Sequence, residues 1–486
     1  MADGIWDMSF RETLPNAVQG MTPVTCCFGL VRDMMVERSM AIAAPTTSQA
    51  SVRAAGKGRE PWYWSAVFWV AVALAVRLIF LFALGTYRFD SLDDITRTGE
   101  SGNIAHSIAV GHGFSSPFGG DTGPSTWIAP VYPYLCALTF RLFGLETPSS
   151  YIFILVLQSL FSALTVIPLN GIAQRTVGRS AGRVAVVLWA LFPWFSKWAV
   201  TWVWDMALSA LLVAWLFWFA LSLEESSVKR WAAFGVFWGF ALLVNPALLP
   251  LLVVSLVWWA YQVNRWDQNS LKRVALALFC CALTISPWLV RNRVVFGQWI
   301  FLRGNFAFEF YLGNYQGSFG RGWGGKGPMM NPAEYARYKS MGEIAYVHWK
   351  GQQAMQFVRE RPWEFATLTA KRALYFWDGS AMHYRNQIFF YWLPQSFVIF
   401  SFLLLPALLI THRVHLPAWP MFFYTLLLYP APYYLTYSQV RYRHAIEPLM
   451  LLLVAKAGVL CFEKVRALFG SAHPRDISSS WGLESR

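Results

Sequence analysis

The sequence contains few charged residues. Of its 486 residues, 14% are Asp, Glu, Lys or Arg, whereas 56% are hydrophobic and 17% are aromatic. A soluble globular domain carries about 25% charged residues, so this composition excludes a protein whose whole surface faces water. It favours an all-α polytopic membrane protein.

Cysteine is scarce, and its spacing suits neither a zinc site nor a disulfide framework. There are six cysteines, with two adjacent pairs and no C-x-x-C spacing. Acidic residues are also few, 26 against 40 Lys and Arg, which gives a net charge of +14. In a membrane protein such an excess records which loops face the cytoplasm, so it does not predict a nucleic-acid partner.

Residues 1–60 lack the apolar run of a signal peptide, and we interpret them as a disordered cytoplasmic tail. Ten mainly apolar runs follow, most of them long enough to cross about 30 Å of hydrocarbon. They predict ten transmembrane helices near 62–84, 151–173, 184–203, 206–223, 231–245, 249–263, 272–290, 388–410, 417–435 and 445–462. The fifth and sixth runs are short and flank an Asn-Pro pair, which predicts a hairpin of two half-length helices.

The apolar segment 128–144 decides the predicted topology. It has two early prolines and carries Arg141 near its end. If it crossed the membrane, the basic loop 175–183 would lie outside, against the positive-inside rule. We therefore expect it to lie flat in the interface. The short inner connections then carry nine Lys and Arg against three in the short outer loops, which predicts that both termini are cytoplasmic.

Two predicted outer segments, 86–149 and 291–387, are too long to be simple connections. The first has a net charge of −3 and the second of +7. Long loops translocate regardless of charge, so the basic excess predicts an anionic ligand. Within the basic loop the sequence predicts two helices, 332–358 and 362–378. The predicted organisation is therefore a tail 1–60, a transmembrane module 61–290 containing the acidic loop, the basic loop, C-terminal helices 388–462 and a cytoplasmic tail 463–486.

The acidic loop contains an amphipathic helix pattern that begins at Glu100. Ile104 and Ile108, and likewise Ala105 and Ala109, recur at i, i+4. In the first turn of such a helix the carboxylate of Glu100 is favoured by the helix dipole. One interpretation of Glu100 is a general base, and the alternative is a solvated acid at the helix N-terminus.

The same loop resembles a known family. Glu-x-x-x-Ile-Ala-x-Ser-Ile-Ala-x-Gly-x-Gly-Phe-Ser-x-Pro-Phe, then Thr-Gly-Pro, Pro130-Val-Tyr-Pro133 and Phe140-Arg-Leu-Phe-Gly144, is similar to the first outer loop of GT-C superfamily membrane glycosyltransferases. The closest resemblance is to the family-39-like group, related to protein mannosyltransferases and the lipid A aminoarabinose transferase. It runs from Trp62 to about Cys461. It implies a polyprenyl-phosphate-linked sugar donor, an acidic base in this loop and an extracytoplasmic active site, in a bacterial inner membrane.

The sequence departs from the family at the acidic pair. When the glycines are aligned, the family's Asp-Glu pair falls on Arg97 and Thr98. Glu100 lies about one helical turn later, on the same face of a helix, and is the predicted catalytic base. The alternative or accessory acids, whose Asp-rich setting fits a solvated turn equally well, are Asp90, Asp93 and Asp94.

The leaving phosphate needs positive charge, which arginine supplies with bidentate geometry. Arg441 and Arg443 precede the last span, oppose the positive-inside bias and resemble an Arg-Tyr-Arg-x-x-x-Glu-Pro stretch of the same family. Arg291, Arg293 and Arg303 are further candidates for binding the donor phosphate. Snorkelling to lipid headgroups is the alternative role of such arginines.

Two more charged residues lie in or next to predicted spans. Arg77 is about 15 residues into the first span, where a charge is costly unless it is paired. We predict that it faces the bundle as a structural partner, toward Glu100. Asp205 begins the fourth span and matches an Asp of the family, so it is a candidate for orienting the acceptor or the loop. A helix N-cap is its alternative role.

Together these features predict an integral membrane glycosyltransferase. A single carboxylate suffices for inverting transfer, whereas retention needs a second one about 5 Å away. The predicted partners are membrane lipids, the lipid-linked donor and a glycan, lipid or protein acceptor. The sequence contains no paired-carboxylate metal-ligand set, so no cofactor is predicted, and a divalent metal stays an alternative. A transporter or flippase of lipid-linked glycans, or a glycan polymerase or ligase, is the rival interpretation.

Overall fold

A computed structural model describes residues 61–88, 92–223, 227–263, 268–320, 325–379 and 393–470, with the backbone alone at 92–97, 261–263, 393–394 and 470. Within these ranges the regular elements are helices, which confirms the all-α prediction. The predicted tail 1–60, Asp90 and most of the predicted tail 463–486 lie outside the described residues. The part of that second tail that is described, up to residue 470, continues the last helix.

The described helices follow one another along the chain. The first eleven are α1 (Ala66–Leu84), α2 (Leu92–Ala109), α3 (Val131–Phe143), α4 (Pro148–Leu164), α5 (Val166–Arg175), α6 (Arg179–Leu191), α7 (Pro193–Thr201), α8 (Met206–Ala220), α9 (Val228–Val244), α10 (Leu249–Val263) and α11 (Gln268–Phe296). The remaining eight are α12 (Phe306–Gly313), α13 (Pro332–Met341), α14 (Glu343–Glu360), α15 (Pro362–Asp378), α16 (Leu393–Arg413), α17 (Trp419–Leu428), α18 (Ala431–Leu435) and α19 (Glu447–Gly470).

Several of these helices are long and apolar enough to cross a membrane. Among the described residues, five stretches meet that condition, and a bent pair of helices makes a sixth. The five are Ala66–Leu84, Pro148–Arg175, Gln268–Phe296, Gln395–Arg413 and Val440–Phe469, and the bent pair is Arg179–Leu191 with Pro193–Thr201. The chain is therefore an integral membrane protein, but the count of ten spans is not confirmed. The other predicted spans correspond to shorter helices, chiefly α8, α9, α10 and α17.

The bend between α6 and α7 explains the charge buried in α1. Pro193 has no N–H to donate to the carbonyl of Trp189, so the helix breaks there, with an angle of 43° between the two parts. Arg77 is fully buried and donates to the carbonyls of Trp189 (3.0 Å) and Ala190 (3.3 Å) and to Ser162 Oγ (2.8 Å). The guanidinium thus replaces backbone donors lost at the break. Among the described residues, the hydrogen-bond partners of this arginine lie in the bundle, and Glu100 is not one of them.

The segment expected in the interface forms the 13-residue helix α3, too short to cross about 30 Å. One face buries Tyr132, Cys136 and Phe140 against the core, and the opposite face exposes apolar side chains such as Leu138. At its end Arg141 donates to backbone carbonyls in the last turn of α2, where helical carbonyls lack intrahelical partners. This amphipathic form agrees with a helix lying flat.

The predicted break at the Asn-Pro pair and helices at the predicted positions in the basic loop are present. Helix α9 ends at the residue before Asn245, whose Oδ1 accepts from Ala247 N at 3.1 Å, and α10 follows after one 3-10 turn. In the basic loop the break at Pro362 is where the sequence predicted it. A second break at Gly342, where φ is +76°, divides the predicted helix 332–358 into α13 and α14.

The acidic and basic loops are packed against each other through one buried carboxylate. Glu343 accepts hydrogen bonds from Ser125 Oγ (2.6 Å), Thr126 N (2.7 Å) and Tyr338 OH (2.9 Å). Gly304 N, on the basic side, donates to the carbonyl of Thr126 at 2.7 Å. The two loops therefore form one body above the helices.

Candidate active site

A cavity of about 750 Å³ lies where the acidic and basic loops meet the ends of the helices. Its wall is formed by the middle of α2, the start of α3, the segment before α8, the hairpin between α9 and α10, the start of the basic loop and the segment around α18. The charged residues in this lining are Asp205, Arg303, Glu309 and Arg441. Three of these four were predicted as site residues from the sequence.

Glu100 lies beside this cavity because α2 is kinked. Gly99 has φ +53° and ψ −151° inside the helix, and a Cβ at that position would lie 2.7 Å from the ring of Trp204. The kink makes Glu100 the first residue of the second helical part, and the next residue, Ser101, lines the cavity. The Glu100 side chain is half-buried, and its charge acts on Arg303, Glu309 and Arg441.

Arg303 is anchored at the cavity wall. Its Nε donates to the carbonyl of Trp127 (3.1 Å) and to Asn305 Oδ1 (2.7 Å), and its Nη2 donates to Glu309 Oε1 (3.0 Å). Burial raises the pKa of Glu309, and the charge of Arg303 opposes that rise. Much of the hydrogen-bonding capacity of this arginine is therefore already used.

Arg441 is more available to a ligand. Its guanidinium carbon lies 5.0 Å from the ring centroid of Trp202 and 5.6 Å from that of Trp204. Its Nε is buried and has no hydrogen-bond partner among the described residues. Two indoles thus hold the side chain through their π faces, and its Nε–H is left without a partner in the described part of the chain.

Asp205 occupies the N-cap position of α8, but its side chain makes no capping hydrogen bond. Instead, Oδ2 accepts from Ser209 Oγ at 2.8 Å, and Ser209 in turn accepts from Asn245 Nδ2 at 3.2 Å. Burial raises the pKa of Asp205, and the hydroxyl of Ser209 and the charges of Arg303 and Arg441 oppose the rise. All three polar residues of this network line the cavity.

Tyrosines form another polar part of the wall. Tyr442 OH donates to Tyr437 OH at 2.8 Å, and the rings of Tyr433 and Tyr442 are stacked with their centroids 4.4 Å apart. Tyr429 OH donates to the carbonyl of Tyr442 at 2.9 Å. Aromatic faces and hydroxyls together suit a ring that is apolar on one side and polar at its edge, as a sugar is.

Other predicted phosphate ligands lie elsewhere. Arg443 is fully buried outside the described cavity lining, donates to Glu447 Oε1 at 3.1 Å and also bonds Ser401. Arg291 donates to the carbonyls of Ser125 (2.7 Å) and Phe114 (2.9 Å), which joins the end of α11 to the acidic loop. Arg293 is exposed in the last turn of α11. Only Arg303 and Arg441 of the predicted arginines are brought together.

The alternative acids are described only in part. Asp93 and Asp94 lie in the first part of α2, but their side chains are outside the described atoms, as is the whole of Asp90. Within the described part of the chain, no group of three or more His, Cys, Asp or Glu is placed to hold a metal ion.

Sequence reasoning missed Glu309 and the tyrosines. Asn305 and Glu309 are four residues apart and therefore share one face of α12, which was the available signal. The tyrosines gave no comparable signal, because aromatic residues near spans are usually interfacial anchors.

Comparison with known proteins agrees with the resemblance noted in the sequence. Residues 127–290 match the dolichyl-phosphate-mannose-protein mannosyltransferase family. Over this segment the GT-C glycosyltransferase resemblance is confirmed. No curated protein matches the chain.

The solved structures to which the chain is similar include the following two. One is the archaeal oligosaccharyltransferase AglB from Archaeoglobus fulgidus, in complex with an inhibitory peptide and a dolichol-phosphate, with 14% identity over 86% of this chain and 53% of that chain and a TM-score of 0.49. The other is ArnT from Cupriavidus metallidurans bound to undecaprenyl phosphate, with 15% identity over 84% of this chain and 82% of that chain and a TM-score of 0.40. The chain spans about half the length of AglB.

Proposed function

We propose that the protein is a membrane glycosyltransferase that transfers a sugar from a polyprenyl-phosphate-linked donor to an acceptor on the extracytoplasmic face. The observation that carries the proposal is that Arg303 and Arg441 line one cavity between the acidic and basic loops, while Glu100, next to the cavity-lining Ser101, is close enough for its charge to act on both arginines. A carboxylate beside an anion-binding arginine is the minimum that such a transfer requires. The family match over 127–290 supports the same reaction class.

In this mechanism the sugar is transferred in one displacement with inversion. The acceptor hydroxyl or amine forms a bond to the anomeric carbon, the bond from that carbon to the phosphate oxygen breaks, and the phosphate leaves with the electron pair. Glu100 takes the acceptor proton, a step worth about 10²–10⁴-fold when the base is well placed. Arg441 binds the phosphate as its negative charge grows, and Arg303 adds positive charge from the side.

The cavity has the dimensions and the edge that a lipid-linked sugar needs. A volume of about 750 Å³ accommodates a sugar phosphate together with the reacting part of an acceptor. Three aromatic residues of the lining are also exposed at its edge, Trp299 (70%), Phe301 (53%) and Phe306 (59%). Such an apolar edge suits the isoprenoid chain of the donor. The acceptor is a glycan, a lipid or a protein in this proposal, and the membrane is the bacterial inner membrane.

The test is sugar transfer by purified protein with radiolabelled polyprenyl-phosphate sugars, read as release of the carrier lipid. Replacement Glu100→Gln should lower kcat at least about 100-fold, because it removes the base and keeps the shape. Glu146→Gln is the matched control, since Glu146 is an exposed acid of the same loop that pairs with His106. It should keep wild-type activity.

Two results would contradict parts of the proposal. Full activity of folded Glu100→Gln protein would move the role of base to another acid of the loop or cavity. Binding of the donor with no release of carrier lipid by the wild type, across a panel of donors and acceptors, would favour a transporter of lipid-linked glycans.

A further inference from the structure

A single buried amide holds the segment between α7 and α8. Trp202 and Trp204 lie outside both helices, so their backbone groups need partners elsewhere. The Gln158 side chain of α4 is 1% exposed and supplies them. Its Nε2 donates to the carbonyls of Ala199 (3.0 Å) and Trp202 (2.7 Å). Its Oε1 accepts from Trp204 N (3.0 Å) and from Tyr132 OH. The amide thus makes all four of its possible hydrogen bonds and ties this segment to the bundle.

The side chain of Trp204 contacts two parts of the candidate site. A Cβ on Gly99 in α2 would lie 2.7 Å from the ring, so the indole packs on the backbone directly before Glu100. The ring centroid also lies 5.6 Å from the guanidinium carbon of Arg441. Trp204 itself and the next residue, Asp205, line the cavity. The ring is therefore in contact with the segment that carries the candidate base and with the arginine that is available to an anion.

We propose that Trp204 is a positioning residue for Glu100 and Arg441 together, and that Gln158 fixes its place. The inference rests on the proposed glycosyl transfer. In an inverting displacement the base and the phosphate ligand act on opposite sides of the reacting carbon, so the distance between them must stay constant. A displacement of about 1 Å can cost about 100-fold in rate. Because one ring contacts both parts of the site, a shift of that ring changes both positions at once.

An indole suits this task for two reasons. Its large ring turns about only two side-chain torsions, so it is held rigidly at a low cost in conformational entropy. Its neutral π face attracts the guanidinium of Arg441, whereas a carboxylate in the same place would compete with the phosphate for that charge. The contact can therefore orient the arginine and leave its charge for the ligand.

The first experiment is the substitution Trp204→Phe, which keeps an aromatic face but leaves a gap beside Gly99. In the carrier-release assay it should lower kcat about tenfold, because both groups are displaced slightly. The matched control is Trp218→Phe in α8. Trp218 is half-buried and also packs on a glycine, Gly171, but it is outside the described cavity lining. The control should keep the wild-type kcat, and the two variants should have similar melting temperatures.

The second experiment tests whether the effect passes through the two residues. In protein that already carries Glu100→Gln or Arg441→Lys, Trp204→Phe should lower kcat/KM only about threefold, since one of the two routes is already lost. Gln158 is outside the described cavity lining, so Gln158→Met removes the four hydrogen bonds without removing a wall of the cavity. Gln158→Met should also lower kcat. Combined with Trp204→Phe, it should be about as slow as the slower single variant.

Four outcomes would overturn the inference. Wild-type kcat in Trp204→Phe or in Gln158→Met would show that the substituted residue positions nothing. A tenfold loss that persists in both backgrounds would assign Trp204 to direct contact with the substrate. Effects that multiply in the combined variant would show that Gln158 and Trp204 act independently. A melting temperature that falls in parallel with kcat in Trp204→Phe, but not in Trp218→Phe, would assign the ring to folding. In all four cases the wild type still transfers sugar, whereas absence of transfer by the wild type would overturn the proposed function as well.

Discussion

At the scale of single residues, the candidate base depends on a glycine. Gly99 adopts a positive φ that favours glycine, and its missing Cβ leaves room for the Trp204 ring. The sequence pattern correctly indicated a helix beginning near Glu100, because the apolar repeat starts there. It did not show that an earlier helical part precedes the kink. The tertiary contact with the indole decides that point, and no local pattern encodes it.

A second residue, Glu343, gives a pH-dependent prediction. Burial raises the pKa of this carboxyl above its ordinary value of 4.5, although hydrogen bonds from Ser125, Thr126 and Tyr338 oppose the rise. A carboxyl with a raised folded-state pKa contributes stability below its unfolded-state pKa and loses it as the pH rises through the folded value. We expect the contribution of Glu343 to the stability of the wild type in detergent, measured through the melting temperature, to fall as the pH is raised above about 4.5.

The matched variant is Glu343→Gln, which stays neutral at every pH. Its melting temperature should vary less over the same pH range, while the control Glu364→Gln, an exposed acid at the start of α15, should follow the wild type. If the melting temperatures of the wild type and of Glu343→Gln protein depended on pH in the same way, the pKa of this carboxyl would be the same in the folded and unfolded states, and the prediction would be wrong.

At the scale of elements, the positions where helices break were easier to predict than the contacts between helices. Pro362 and the Asn245-Pro246 pair interrupt helices where the sequence indicated, because proline removes a backbone donor. The break at Gly342 was missed, since a single glycine in a helical pattern is often tolerated. The partners of Arg77 were also missed, because they are the Ser162 hydroxyl and backbone carbonyls, two of which lie at the bend between α6 and α7.

The bend predicts the effect of replacing Arg77. Methionine matches the apolar stem but has no donor, so Arg77→Met leaves the carbonyls of Trp189 and Ala190 without the guanidinium. We expect a loss of about 1–3 kcal/mol in the free energy of unfolding, measured as a lower melting temperature in detergent. Arg88→Met, at an exposed arginine just after α1, should change stability by less than about 0.5 kcal/mol. Equal melting temperatures for the two variants would show that the carbonyls find other donors.

At the scale of the whole molecule, the proposed topology predicts that the cavity opens to the outer face. We expect a Cys introduced at the exposed Ser340 of α13 to react with a membrane-impermeant reagent in intact cells. A Cys at the exposed Ser180 of α6 should react only after permeabilisation. Both are Ser→Cys changes in a variant without native cysteines. Labelling of residue 180 from outside intact cells would show that the orientation is the reverse of the proposed one, with the cavity on the cytoplasmic side.

The site as a whole was predictable only in outline. Composition and charge asymmetry of the two loops predicted a membrane protein with an anionic ligand, and the family resemblance selected Glu100, Asp205 and Arg441. Arg441 and Arg443 are two positions apart, and their side chains meet different neighbours. Arg441 lines the cavity, whereas Arg443 contacts Glu447 in the bundle. Sequence spacing does not show which neighbour each will meet.

The bond between Ser125 and Glu343 joins residues 218 positions apart in the chain. During synthesis the acidic loop is therefore made long before Glu343 leaves the ribosome, and until then Ser125 and Thr126 lack their acceptor. The cavity can close only after most of the polypeptide has been made, so a prematurely terminated chain would carry the proposed base without an enclosed cavity.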